Sequence, residues 1–231
     1  MNWHDLLFLH WPVDPGSLAA SMPPGIQIDT FDGAAYVAVV PFWMSGVRAR
    51  WLPGVPGHST LPELNVRTYV RADGFPGVYF LSLDAASRLV VSAARTSYSL
   101  RYRSARMRVS RGEDSWIGYS STRTDRGHPP ASFQGRYRPT GPAFRPEPGT
   151  LEHWLVERYC LYSVSRRSQW FRAAVHHGPW ELRHAEAEVS EETVSRAAGL
   201  SLNGAAPLVH YVERMDVVAW RPRAMGKANR G

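Results

Sequence analysis

The chain has 231 residues, a formal net charge of +7 and 44% hydrophobic residues. That suits one domain of the roughly 200–250-residue class and excludes the low-hydrophobicity signature of disorder. A single cysteine, Cys160, rules out an intrachain disulfide and a multi-cysteine zinc site, and it suits a reducing compartment.

The opening MNWHDLLFLHWPVDP has no basic n-region and does not read as a signal peptide. No run reaches the ~18 apolar residues needed to span a bilayer, so a cytoplasmic protein without membrane partners is expected. Of 27 basic residues only Lys227 is a lysine. The arginines are spread from Arg48 to Arg230 rather than gathered in a tail or one helix, which makes nucleic acid the less favoured partner.

Residues 3–13 read as an opening strand. Asp14-Pro15 starts a short helix over Gly16–Met22, because Asp caps free amides and Pro suits a first turn. Ile26–Thr30 and Ala35–Val40 are expected to form a hairpin across Phe31-Asp32-Gly33, with Asp-Gly supplying positive φ. The Pro- and Gly-rich stretch Pro41–Thr60 reads as an extended excursion or lid.

The stretch from Leu61 to Met107 is the densest in polar chemistry. In Glu63–Arg71, period-two alternation places Glu63, Asn65, Arg67 and Tyr69 on one face and Leu64, Val66 and Thr68 on the other. A turn at Ala72-Asp73-Gly74 leads into Val78–Leu83. Asp84 then caps an expected helix over Ala85–Thr96, which carries Arg95 and precedes Tyr98.

Strands follow at Tyr102–Ser110, Ser115–Ser121 and Ser132–Arg138, then a loop over Pro139–Gly149 and a helix at Leu151–Arg158 capped by Thr150. Tyr159–Ser165, Trp170–His176 and Trp180–Glu188 read as strands. Ser190 opens a last helix with Glu191 and Glu192 in its first turn, and Gly199 ends it. Leu208–Trp220 completes the core. About ten strands and four short helices without βαβ alternation imply a mostly antiparallel, barrel-like α+β domain. Residues 1–220 are read as that single domain and 221–231 as a flexible basic tail.

No GxSxG, HExxH, GxxxxGK[ST] or GxGxxG motif is present. The nine histidines lack metal-ligand spacing: His176 and His177 are adjacent and point to opposite faces of a strand. No metal and no cofactor is expected.

The segments FLHWPV, FDGAAYVAVVPF, LPELNVRTYV, GVYFLSLDA, AARTSYSLRY, LEHWLVERYCLY and HHGPWELRHA run almost end to end. On them the chain resembles the DUF2071 (YqjF-like) family of bacterial proteins of unknown function, departing at Arg101, where a proline is expected. That family is in turn similar, more distantly, to acetoacetate decarboxylase and its relatives. The resemblance implies a cone-shaped antiparallel β-barrel around an internal pocket.

Those enzymes carry a Gly-Arg-Glu step and then a Pro-Lys-Lys step, whose first lysine forms a Schiff base with the substrate ketone. Here Ala94-Arg95-Thr96 and Arg101-Tyr102-Arg103 stand at these steps. Arg95 matches, and Tyr102 takes the lysine's place. An iminium mechanism needs a neutral primary amine beside the carbonyl, and the lone Lys227 falls in the expected tail. The fold transfers; the mechanism does not.

The candidate catalytic residues are therefore Glu63, as base or orienting group, and Tyr102, as hydroxyl donor. The candidate ligand-binding residues are Asn65, Arg67, Tyr69, Arg95 and Tyr98. Arg67 and Arg95 either hold a carboxylate or enolate or pair with Glu63 or Asp84 as buried structural ions; both readings stay open. His10 and His177 read as satisfied core histidines. The expected function is binding of a small anionic carboxylate or carbonyl compound, with or without non-covalent acid–base catalysis. The alternatives are an Arg-rich module for nucleic acid or an acidic partner, and a pocket for a larger apolar ligand lined by tryptophans. A homo-oligomer is compatible with exposed barrel edges.

Overall fold

The computed structural model describes residues 1–47, 60–87, 91–92, 100–165, 167–202 and 204–225. Among them are thirteen strands: β1 (Asn2–Val13), β2 (Gln27–Ile28), β3 (Ala35–Ser45), β4 (Leu61–Ala72), β5 (Phe75–Ala85), β6 (Tyr102–Arg111), β7 (Ile117–Arg123), β8 (Ser132–Phe144), β9 (Cys160–Val164), β10 (Trp170–His177), β11 (Leu182–Glu192), β12 (Leu208–Ala219) and β13 (Arg223–Ala224). Three short helices accompany them: α1 (Pro15–Ala19), α2 (Leu151–Val156) and α3 (Val194–Ala197). Residues 91–92 of the helix expected over Ala85–Thr96 are helical too, and its residues 88–90 and 93–96 lie outside the described residues.

The sheet is mostly antiparallel and closes on itself. From β12 the ladder runs through β1, β3, β4 and β5. It then returns to β12 by two routes, through β9 and β10 or through β6, β7, β8 and β11. The five shared strands form a wall with a buried face on each side. Strands β1 and β3 accordingly read as near-continuous apolar runs, whereas β4 carries polar residues on one of these buried faces.

One face of the wall carries Phe8, Val40, Phe42 and Tyr69, packed with Leu155, Trp180 and Leu182. The other carries Leu7, Leu9, Val37, Val39, Leu64 and Val66, packed with Tyr119, Phe133 and Tyr137. The seam where β9 closes on β5 is tight: a Cβ on Gly77 would lie 2.6 Å from the Cys160 carbonyl oxygen, so only glycine fits there.

Asp5 pins five strands together. It sits at φ 51°, in the irregular part of the β1–β3 ladder. Its carboxylate accepts from Trp43 Nε1, Tyr211 Oη and Arg111 Nη2 at 2.7–2.8 Å, and its carbonyl accepts from Tyr137 Oη at 2.6 Å.

Several local expectations are corrected. The Asp32-Gly33 turn forms, with positive φ at both residues, but β2 pairs with the end of β4, not with β3. Strand β3 continues through Pro41 to Ser45, because Pro41 falls opposite the interrupted β1 ladder, where a missing N–H is tolerated. Residues 48–59 of the expected lid lie outside the described residues.

Asp84 does not cap a helix. It lies in β5 and forms a buried ion pair with Arg123 at 3.0 Å. Strand β8 runs through Pro139 to Phe144 because β11 pairs alongside it. Strand β11 in turn extends to Glu192, and the last helix is only Val194–Ala197. The Glu192 carboxylate accepts from the Ser195 amide at 2.8 Å and so takes over the capping role expected of Ser190. Beyond Trp220, β13 pairs with β10 at Phe171 and Arg172.

Candidate functional site

Strand β4 lies between β3 and β5. Its alternation puts Glu63, Asn65, Arg67 and Tyr69 on one face, as the sequence pattern requires. All four are buried, at 4%, 4%, 7% and 0% exposure. They face the same interior as Phe8 and Phe42, a mostly apolar setting for four polar side chains.

The neighbouring strands wall this row with apolar residues. Phe42 stands beside Glu63 and Ala38 beside Arg67 on the β3 side. On the β5 side the partners are Ala85, Leu83, Phe80 and Val78. The register shifts between Val66 and Arg67, where β5 carries one extra residue. That bulge keeps both Leu83 and Phe80 on the face of the row despite their odd spacing.

At one end Tyr102, the first residue of β6, donates its hydroxyl to Glu63 Oε2 at 2.7 Å. Burial lifts the Glu63 carboxyl to about 7, against the lowering pull of the Tyr102 hydrogen bond. A carboxyl in that range exchanges protons near neutral pH, as general acid–base catalysis requires. Tyr119 fixes the strand behind it by donating to the Glu63 carbonyl at 2.7 Å.

At the other end the Arg67 guanidinium lies 5.2 Å from the Phe8 ring centre and 5.8 Å from that of Tyr69. Its Nε has no acceptor, and among the described residues it has no carboxylate partner. The structural pairings expected for it are taken elsewhere: Glu63 bonds Tyr102, and Asp84 bonds Arg123. Between the two ends, Asn65 Oδ1 is buried without a donor.

Tyr69 Oη meets His10 Nε2 at 2.8 Å, and His10 is stacked on Phe8. His10 is therefore only half satisfied, since its Nδ1 has no partner. Burial first, with Arg67 and His210 adding to it, holds this imidazole well below the ordinary histidine value. His210 is fully buried with neither ring nitrogen bonded. Burial lowers its pKa too, helped by His184 and opposed by Glu152.

Sequence reading placed neither His10 nor His210 in the site. The available signal was the spacing of His10 two residues after Phe8, which puts both on one strand face. For His210 the only signal was the cross-strand register to Phe8, which a sequence does not display. His177, by contrast, contacts the Gly178 and Arg158 carbonyls and belongs to the scaffold. Arg95 and Tyr98 lie outside the described residues.

Among the described residues a separate cleft of about 460 Å³ is lined by Asp5, Trp43, Pro62, Arg108 and Arg111. It contains none of the β4 row. Its buried carboxylate already accepts from Trp43, Tyr211 and Arg111, whereas the row includes the unpartnered Asn65 Oδ1 and Arg67 Nε, which makes the row the candidate site. Among the described residues no three His, Cys, Asp or Glu converge as metal ligands would, and no helix is long and apolar enough to cross a membrane.

The closed, mostly antiparallel sheet has the acetoacetate-decarboxylase-like fold, as superposition on solved structures shows. The chain belongs to the DUF2071 family, described as an uncharacterized conserved protein, whose model matches residues 1–216. It is 44% identical over 219 residues to the uncharacterized protein YqjF of Bacillus subtilis (strain 168), covering 95% of this chain and 89% of that one.

Solved structures show the same fold. An enduracididine biosynthesis enzyme, MppR, complexed with pyruvate, superposes with a TM-score of 0.64 at 12% identity, covering 98% of this chain and 91% of its own. Acetoacetate decarboxylase from Legionella pneumophila gives 0.62 at 11% identity, with 98% and 88% covered.

Proposed function

We propose that the protein binds a small carboxylate or carbonyl compound on the interior face of β4. The carrying observation is Arg67, a buried cation with no acidic partner among the described residues. An uncompensated buried charge costs several kcal/mol. A ligand carboxylate would remove that cost, and the guanidinium fork suits its two oxygens. The pyruvate complex of MppR, of the same fold, is in keeping with such a ligand.

At the opposite end Glu63 and Tyr102 would handle the carbonyl. As carboxylate, Glu63 would take a proton from the carbon beside the carbonyl, and the Tyr102 hydroxyl would hydrogen-bond the oxygen as charge develops there. Asn65 would orient the same end. This is enolisation-type chemistry without a covalent intermediate. No residue of the row is a lysine, so the row itself supplies no amine for a Schiff base.

The Arg-rich surface favours the nucleic-acid alternative less. Arg136, Arg138, Arg145 and Arg214 are paired with Glu188, Glu186, Glu181 and Asp216.

Thermal unfolding of wild type and Arg67→Met with a panel of oxo, hydroxy and enoyl acids tests the reading. A ligand at about a hundred times its dissociation constant adds roughly 2.7 kcal/mol, a midpoint rise of several degrees at about 2–4 °C per kcal/mol. The expected result is a rise in wild type that Arg67→Met abolishes. No shift with any acid, or an equal shift in the variant, would overturn the proposal.

A further inference from the structure

The two ends of the row are far apart, and their side chains diverge. Glu63 and Arg67 are four residues apart on one strand, about 13 Å at about 3.3 Å per residue. Glu63 turns toward β6, where Tyr102 holds it at 2.7 Å. Arg67 turns the other way, toward the rings of Phe8 on β1 and Tyr69 further along β4. His10, bonded to Tyr69, flanks that end.

Between the ends the wall is hydrocarbon, with Val40 and Leu83 on either side of Asn65. A 2-oxo acid, whose carboxylate and carbonyl carbons are bonded to each other, reaches one end only.

From this geometry we infer that the ligand is an elongated oxo acid. Its carboxylate lies on Arg67 beside His10, its carbonyl lies at Tyr102 and Glu63, and an unbranched hydrocarbon run joins them past Asn65. The inference rests on the proposed binding role of the β4 row and adds the substrate class. Tyr69 is the better donor to His10 Nε2, which leaves the Nδ1–H of a neutral imidazole free to donate to the carboxylate. The Asn65 Oδ1 would accept from a hydroxyl on the chain or from an ordered water.

Calorimetric titration of the protein with pyruvate, levulinate and 6-oxoheptanoate tests the span, in wild type, Tyr102→Phe and Arg67→Met. Both substitutions preserve side-chain volume, and thermal unfolding checks that each variant is folded. Each buried methylene strengthens binding about fourfold, the equivalent of about 0.8 kcal/mol, so levulinate should exceed pyruvate by about tenfold or more and 6-oxoheptanoate should exceed levulinate likewise.

The signature of bridging is the pattern of losses. 6-Oxoheptanoate should lose at least tenfold in both variants, and pyruvate in Arg67→Met alone. Equal affinity for pyruvate and the longer acids, or a loss for 6-oxoheptanoate in Arg67→Met alone, would overturn the elongated-ligand inference while leaving carboxylate binding intact. A loss that spares Arg67→Met would overturn both. Binding of none of the three acids would overturn both.

Discussion

Tyr102 Oη lies 2.7 Å from Glu63 Oε2, although 39 residues separate the two in sequence. The contact joins the start of β6 to the start of β4 across β5 and makes one proton-sharing pair of two groups on an apolar wall. Each group tunes the other. Burial raises the carboxyl, and the phenol moderates the rise.

Stability should therefore depend on pH through Glu63. Its folded pKa, about 7, lies above the ordinary 4.5. The stability it contributes is fully present below about 4.5 and is lost as pH rises through about 7, because the unfolded chain releases this proton first. Glu63→Gln cannot ionise. The variant should gain on wild type by roughly 3 kcal/mol between pH 4 and pH 8, read from urea unfolding at each pH. A pH-independent difference would place Glu63 in a solvated setting.

Tyr102→Phe removes the hydrogen bond that favours the carboxylate. The Glu63 titration, followed by carbon NMR of its carboxyl group, should move above its wild-type midpoint of about 7. The lost charge-assisted bond should cost about 1.5–3 kcal/mol at alkaline pH. An unchanged midpoint would show that the contact does not persist in solution.

Arg67→Met replaces a buried cation by a side chain of similar length. In the ligand-free protein the variant should equal or exceed wild type by up to about 1–4 kcal/mol, the usual result of replacing a buried ion by an apolar residue. A loss of comparable size would reveal a carboxylate partner in the free protein.

The Asp84–Arg123 pair behaves oppositely. Both side chains are nearly inaccessible, and burial raises the Asp84 carboxyl despite Arg123. Arg123→Met strands that carboxylate and should cost about 3–5 kcal/mol. Arg136→Met at the exposed Glu188 pair should leave denaturation midpoints unchanged. Equal effects at the two sites would refute the distinction.

Asp5→Ala removes the acceptor of Trp43, Tyr211 and Arg111 and places a Cβ-bearing residue without a polar side chain at φ 51°. The buried Tyr211 and half-buried Trp43 donors left unsatisfied, with a strained backbone, should together cost on the order of 3 kcal/mol. Asp5→Asn, which tolerates that conformation and keeps one acceptor oxygen, should cost less. The two are compared by chemical denaturation.

By itself the sequence determined most of the strands, though not all their ends and pairings, the presence of a single lysine, and the common face of Glu63, Asn65, Arg67 and Tyr69. These follow from local quantities: composition, and the period of two that sends alternate side chains to one side. It could not say what lies opposite that face. Glu63 meets Tyr102 only because β5 pairs with both β4 and β6, and Leu83 and Phe80 share the wall only because β5 bulges between them. Asp84 left its helix-capping role for the same kind of reason, since a partner on β7 outweighed a local preference. His10 and His210 came into the site through the β1 register. Periodicity fixes which face a residue occupies, but register, bulges and ring closure are set by burial summed over the whole sheet, and these decide which faces meet.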